Sequence, residues 1–270
     1  MQTVITGTGS FVPPVTKCNK DFVGQAFYDE NQKLITRPGE EIIEKFEVIT
    51  GICERRYSPG NMTASFMGML AAKIAIDDAG IDAETIDQVI VAHNFGDTGL
   101  HAPQSSMVPS LASRIKKELG IKAPGCVAYD ILFGCPGWLQ GLIQADAFGK
   151  AGVAKTCLVI GTETLSRVLD VYDRDSMIYS DGAGAVVTQI QSSPEKKGML
   201  KSVSASFTKN EADFIYMGAS NNPAVPGTNL YLKMQGRKVY EFALKQVPAA
   251  IKQCLDKNEI HLEQIKKIFI

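Results

Sequence analysis

Histidine is scarce in this chain: only His93, His101 and His261 occur in 270 residues. The six cysteines (Cys18, Cys53, Cys126, Cys135, Cys157, Cys254) form no C-x-x-C pair and have no histidine at zinc-finger spacing. Those absences argue against a structural metal site and a disulfide framework, and five of the six thiols read as small apolar core residues. Charge of one sign is equally lacking, since 28 Lys and Arg stand against 29 Asp and Glu. No basic run follows a phosphate backbone, so nucleic acid is not an expected partner. No apolar run reaches the roughly 20 residues that cross a bilayer, and MQTVITGTGS lacks the basic start of a signal peptide. The chain therefore reads as cytoplasmic, without a membrane partner, and its 45% apolar residues suffice for a core of one or two domains.

What is present alternates between strand-like and helix-like runs. Val4 to Phe11 opens with Gly7-Thr8-Gly9, but Pro13-Pro14 leave no room for the helix of a dinucleotide loop. A strand leaving the core through a glycine turn is expected instead. Residues 62–79 carry helical periodicity and stop at Gly80, and a buried strand follows over Val89 to Ala92. Further strands are expected at 126–133, 156–162 and 182–190, which makes an α/β protein with a mixed, largely buried sheet. The helix, acidic turn and strand recur with a shift of 179 residues: Ile81 matches Ile260, Glu84 matches Glu263, and Val89-Ile90-Val91 match Ile268-Phe269-Ile270. This pattern points to an internal duplication. The linker-like stretch SSPEKKGML divides the halves, giving residues 1–191 and 192–270.

Chemistry concentrates in CVAYDILFGCPGWLQGLIQADAFGKAG, where a strand passes through Gly134-Cys135-Pro136-Gly137 into a helix. Pro136 suits the first helical position, which puts Cys135 at the helix start. Unpaired amides and the positive end of the helix dipole favour a thiolate there, and the same amides suit the oxyanion of acyl transfer. A buried packing cysteine beside a sharp turn is the alternative. His93, at the carboxyl end of a strand, His101 in a Gly- and Pro-rich loop, and His261 in an acidic turn are each read as structural.

The residues now carry a resemblance. Thr50-Gly51-Ile52-Cys53-Glu54-Arg55-Arg56, the turn FGCPGW, Asp181-Gly182-Ala183-Gly184-Ala185 and Met234-Gln235-Gly236-Arg237 are similar to motifs of the β-ketoacyl-(acyl carrier protein) synthase III family, in the thiolase superfamily. The resemblance implies a thiolase-like duplicated α-β-α-β-α layered fold with mixed sheets, the second half incomplete. It implies Cys135 as the acyl-accepting nucleophile and Arg174 against the adenine of coenzyme A. Met107 and Val108 fall where the family places an acyl-pocket residue lent by a partner subunit. The implied activity is acyl transfer from a thioester to Cys135, then decarboxylative Claisen condensation with malonyl-carrier. No cofactor is implied beyond coenzyme A or acyl carrier protein thioesters as substrates, and the implied partners are acyl carrier protein and a second copy of the chain.

Two departures accompany it. Lys45 and Ile49 stand near positions where the family clamps coenzyme A with a tryptophan and an arginine, which leaves the donor open between coenzyme A and acyl carrier protein. The family's catalytic histidine, in a His-Gln-Ala-Asn run, would follow Ile270, and its asparagine would come later. The resulting expectation is a truncated form that acylates Cys135 but does not condense. The competing readings are a non-catalytic thiolase-like fragment or partner subunit, and a cysteine acyl hydrolase with His93 as base.

Overall fold

The computed structural model describes residues 1–99, 104–192 and 198–269. The chain runs β1 (Gln2–Phe11), β2 (Val15–Cys18), α1 (Gly39–Thr50), β3 (Glu54–Tyr57), α2 (Ala64–Ala79), β4 (Gln88–Ala92), β5 (Asp97–Thr98) and β6 (Ser105–Ser106). It continues through α3 (Leu111–Glu118), β7 (Val127–Ile131), α4 (Gly137–Lys150), β8 (Thr156–Thr164) and β9 (Asp181–Gln191). Then come β10 (Ile215–Gly218), β11 (Tyr231–Met234) and α5 (Gly236–Asn258).

Five strands form a mixed sheet in the order β1-β9-β8-β4-β7, with β8, β4 and β7 parallel and β9 antiparallel to both its neighbours. The inner strands are continuous apolar runs because helices cover both faces. Side chains alternate across them: Val89, Val91, Leu158 and Ile160 pack under α2 and α3, whereas Ile90 and Val159 pack against α4. All six are fully buried.

The glycine turn expected at Gly7-Thr8-Gly9 is absent, because β1 continues through it to Phe11. Its glycines answer instead to α2, which lies directly on the strand. A Cβ at Gly7 would sit 2.2 Å from the Ala75 carbonyl oxygen, and one at Gly9 2.2 Å from that of Ala71. The structure also corrects the thiols: Cys126 and Cys157 are buried, but Cys53 is exposed in the loop between α1 and β3, and Cys18 and Cys254 are half-buried.

The 179-residue repeat carries into local structure. Gly80 and Glu259 both cap their helices in the left-handed region, at φ +63° and +57°. The one-turn 3-10 helices Ala83–Thr85 and Leu262–Gln264 occupy matching positions. The expected second strand does not form over 265–269, where Ile268 and Phe269 are exposed; Ile270 lies outside the described residues. β4 is held by β7 and β8 on either side, whereas no described strand flanks 265–269. Strand β11 is tied to the segment after β8 by Leu232 N–H donating to the Val168 carbonyl and by the buried Lys233 ammonium, which donates to Asp170 and Asp173.

Candidate active site

Cys135 lies four residues past the end of β7, on a turn whose shape is set by Gly134 in the left-handed region, at φ +71°. The Gly137 amide closes the turn on the Gly134 carbonyl at 3.0 Å. Pro136 is the residue that caps α4 rather than its first helical residue, so Cys135 sits one position further out than the sequence suggests. No acidic residue occupies the first turn of α4, leaving its dipole uncompensated beside the thiol. Cys135 is exposed, as are the apolar Leu132, Phe133 and Leu139 around it.

Burial sorts the other thiols. It pushes Cys126 up, and Cys157 up to about 12, so neither forms a thiolate near neutrality. Limiting iodoacetamide is expected to label Cys135 first, with Cys126 and Cys157 untouched until unfolding. Peptide mapping checks this, and prior labelling of Cys18 or Cys53 would contradict it.

His93 is a structural residue. It is buried, its Nε2 pairs with Asp130 at 2.9 Å, and its Nδ1 accepts from the Gly96 amide at 3.1 Å. Both ring nitrogens are therefore engaged away from Cys135, which removes the base required by the hydrolase reading. His261 caps the last 3-10 turn at the surface, and His101 lies outside the described residues.

Asp130 also caps α3, accepting the Leu111 and Ala112 amides at 2.8 Å each. Burial alone would raise this carboxyl, but the bonds from His93, Ala112 and Leu111 outweigh it and hold the group below its ordinary value of 3.8. A lowered carboxyl contributes stability that is present above the unfolded value and lost as pH falls through the folded one. The urea midpoint is thus expected to decline as pH drops below about 4, and Asp130→Asn should flatten that decline. An unchanged acid limb in the variant would remove Asp130 as a cause.

At the carboxyl ends of β4 and β8, Asn94 and Glu163 meet. The Asn94 backbone amide and Nδ2 donate to Glu163 Oε2 at 2.7 and 3.2 Å, and Asn94 Oδ1 accepts from the Gly134 amide at 3.1 Å. Burial raises the Glu163 carboxyl above its usual range. Neither residue stood out in the sequence, since they come from different strands and form no local motif.

A cavity of about 1000 Å³ is lined in part by Arg37, Lys45, Phe46, Arg174, Arg237 and Tyr240. Arg174 is thereby brought to the same cleft as Lys45 and Ile49, with four cations against the single acid Asp175. Ile178, at its wall, adjoins Tyr179, whose phenol is pushed up to about 12 by burial and by the nearby Cys135 thiol. The Tyr179 hydroxyl also donates to the sulfur of Met234, another residue of the cavity wall, at 3.6 Å. Arg37 and Arg237 were not singled out as ligands by sequence reading, because a lone arginine carries no spacing signal.

The other motifs build the frame. Arg55 is buried between the Phe22 and Phe46 rings and donates to the Met177 and Lys17 carbonyls. Asp181 gathers Ser58 and Ser166 through both their amides and their hydroxyls, fixing the loops around 174–181. Met107 and Val108 lie away from this cavity, after β6; Val108 is 89% exposed.

A mixed sheet sandwiched by helices, with a cysteine on the turn into a covering helix and a cationic cleft in the same fold, defines an acyl-transferring enzyme of the thiolase-like class. Residues 129–206 match the family described as 3-oxoacyl-(acyl-carrier-protein (ACP)) synthase III. The chain is 34% identical over 270 residues to β-ketoacyl-(acyl carrier protein) synthase III 1 of Vibrio vulnificus, covering 98% of this chain and 75% of that one. Among solved structures it resembles 3-oxoacyl-(acyl carrier protein) synthase III of Pseudomonas aeruginosa PAO1, with TM-score 0.77 and 25% identity over 98% of this chain and 74% of that one. The priming β-ketosynthase of the R1128 polyketide pathway gives TM-score 0.76 and 26% identity, covering 98% and 72%. The chain belongs to the β-ketoacyl-(acyl carrier protein) synthase III family of condensing acyltransferases.

Proposed function

We propose that Cys135 is the acyl acceptor of a condensing enzyme that draws its donor thioester from the cleft around Arg174. The thiolate adds to the thioester carbonyl, the charged oxygen is received by amides of the turn and the first turn of α4, and the donor thiol departs. In a chain that also carries the family's histidine and asparagine, a malonyl thioester would then lose CO2 to give an enolate that attacks the acyl-enzyme, forming a carbon–carbon bond and releasing the Cys135 thiolate. The observation that carries this reading is the exposed Cys135 on the left-handed glycine turn into α4, whose first turn holds no acid; a separate cleft supplies four cations around Arg174. Its four cations suit a phosphorylated pantetheine donor, a chemistry shared by coenzyme A and acyl carrier protein, both taken here as candidate partners.

Incubation with acetyl-coenzyme A or acetyl-carrier protein, followed by peptide mapping, tests it. One acetyl group on the Cys135 peptide is expected with at least one donor, and acetylation elsewhere or nowhere would overturn the assignment. Arg174→Ala is expected to raise the half-saturating coenzyme A thioester concentration about tenfold, the worth of one charge-assisted hydrogen bond. An unchanged concentration would remove Arg174 from the donor site.

The same reading divides the chain at residue 192, with the nucleophile in 1–191, and places it in the cytoplasm as a homodimer. β7 is an edge strand flanked by exposed Val127, Leu132 and Phe133, and Val108 projects from a neighbouring loop, a face suited to a second copy. Sedimentation at micromolar concentration should give a dimer, and a persistent monomer would exclude it.

A further inference from the structure

We propose that Asn94 and Glu163 are positioning residues for the nucleophile turn, acting as one relay from the ends of β4 and β8 to the Gly134 amide. The inference rests on the reading of Cys135 as nucleophile and adds the residues that hold it in place.

Gly134 precedes Cys135 in the turn. A glycine in the left-handed region has the widest choice of backbone states, so the residue before the nucleophile is the least self-determined part of the turn. Its amide is held from outside, by Asn94 Oδ1 at 3.1 Å. A carboxamide is nearly symmetric in shape, and either end fits the same space. The end that faces Gly134 is chosen by Glu163, whose Oε2 only accepts and so draws Nδ2 to itself at 3.2 Å, while the Asn94 backbone amide anchors the pair at 2.7 Å. With Nδ2 committed, Oδ1 must face the glycine. Glu163 occupies this place at a cost, because burial raises its carboxyl and its second oxygen, Oε1, is buried with no well-formed hydrogen bond among the described residues. A carboxyl retained under that penalty, within a strand end beside the nucleophile turn, is accounted for by the orientation it imposes.

Loss of the relay should let the turn sample other backbone states, so that the sulfur and the neighbouring amides are aligned for only part of the time. A misplacement of about 1 Å costs on the order of 100-fold in rate. The binding cleft is lined by neither residue and should keep its affinity.

The test uses the full chain carrying Asn94→Ala, Glu163→Ala or Glu163→Gln. Two readouts are taken: single-turnover acetylation by acetyl-coenzyme A, resolved into maximal rate and half-saturating concentration, and the ratio of iodoacetamide labelling at Cys135 to that at Cys53 in the same molecule. The alanine variants should lower the maximal acetylation rate by about 10-fold to 100-fold with unchanged half-saturation. They should also alter the labelling ratio. Glu163→Gln, which keeps an oxygen acceptor, should restore most of the rate, and the double alanine variant should be no slower than the slower single one. Parental rates and ratios in folded Asn94→Ala would overturn the relay, and so would a Glu163→Gln protein as slow as Glu163→Ala. Asn94 is exposed, so Asn94→Ala carries the test if Glu163→Ala does not fold. Absence of acetyl on Cys135 in the parent would overturn the nucleophile reading instead, while the labelling ratio would still report on the relay.

Discussion

Cys135→Ala is expected to abolish acyl transfer, lowering the rate of acetyl incorporation by up to about 10⁶-fold, the scale seen when an essential nucleophile is removed. No other thiol is as well placed. Cys126 and Cys157 are buried with raised thiols, Cys18 opens only a four-residue 3-10 helix whose first turn carries the acid Asp21, and neither Cys53 nor Cys254 lies at a helix entry. The fold should be indifferent to the change, since the side chain is exposed and has no hydrogen-bond role in the turn. Intact-mass measurement over time resolves the two proteins, with circular dichroism as the control for folding. Acetyl incorporation by folded Cys135→Ala at a rate within tenfold of the parent would show that another group accepts the acyl chain.

The second large effect concerns stability, at Lys233. Its ammonium is buried with Asp170, and it donates also to Asp173 and to Asn221 Oδ1. Asp170 is 1% exposed and further accepts from the Ser220 hydroxyl and the Asn221 amide. Lys233→Met would keep the apolar stem but strand the Asp170 charge away from water, a change that costs about 3–5 kcal/mol when a buried pair loses one partner. Equilibrium urea unfolding should report that loss, concentrated in the joint between β11 and the loop after β8. Asp170→Asn combined with Lys233→Met should recover part of it, because no unpaired charge then remains. A loss below 1 kcal/mol for the single variant would mean that the cluster is hydrated rather than dry.

Much of this molecule was legible in one dimension. The parallel strands announced themselves as unbroken apolar runs, because a strand covered on both faces has no polar side to show. The turn at Gly134-Cys135-Pro136-Gly137 was equally readable, since a strand, a glycine turn and a helix start are all local events. Even the repeat at 179 residues survives in the left-handed caps Gly80 and Glu259.

Other features had no local signature. Gly7 and Gly9 resembled a turn, and only the approach of α2 to β1 explains why no side chain fits there. The strand expected over Ile268 to Ile270 is not formed over 265–269, because pairing needs a neighbour that periodicity alone does not provide. His93 had the position of a candidate base, and its pairing with Asp130, 37 residues away, made it a structural residue. The sequence by itself determined the class of fold and the glycine turn that carries Cys135, both of which arise from short-range chemistry. Only the tertiary structure brought together the side chains that line the cleft and the hydrogen bonds that join Glu163, Asn94 and Gly134. Those groups converge from strands and loops far apart in the chain, and proximity of that kind is a property of packing, which no spacing along the sequence encodes.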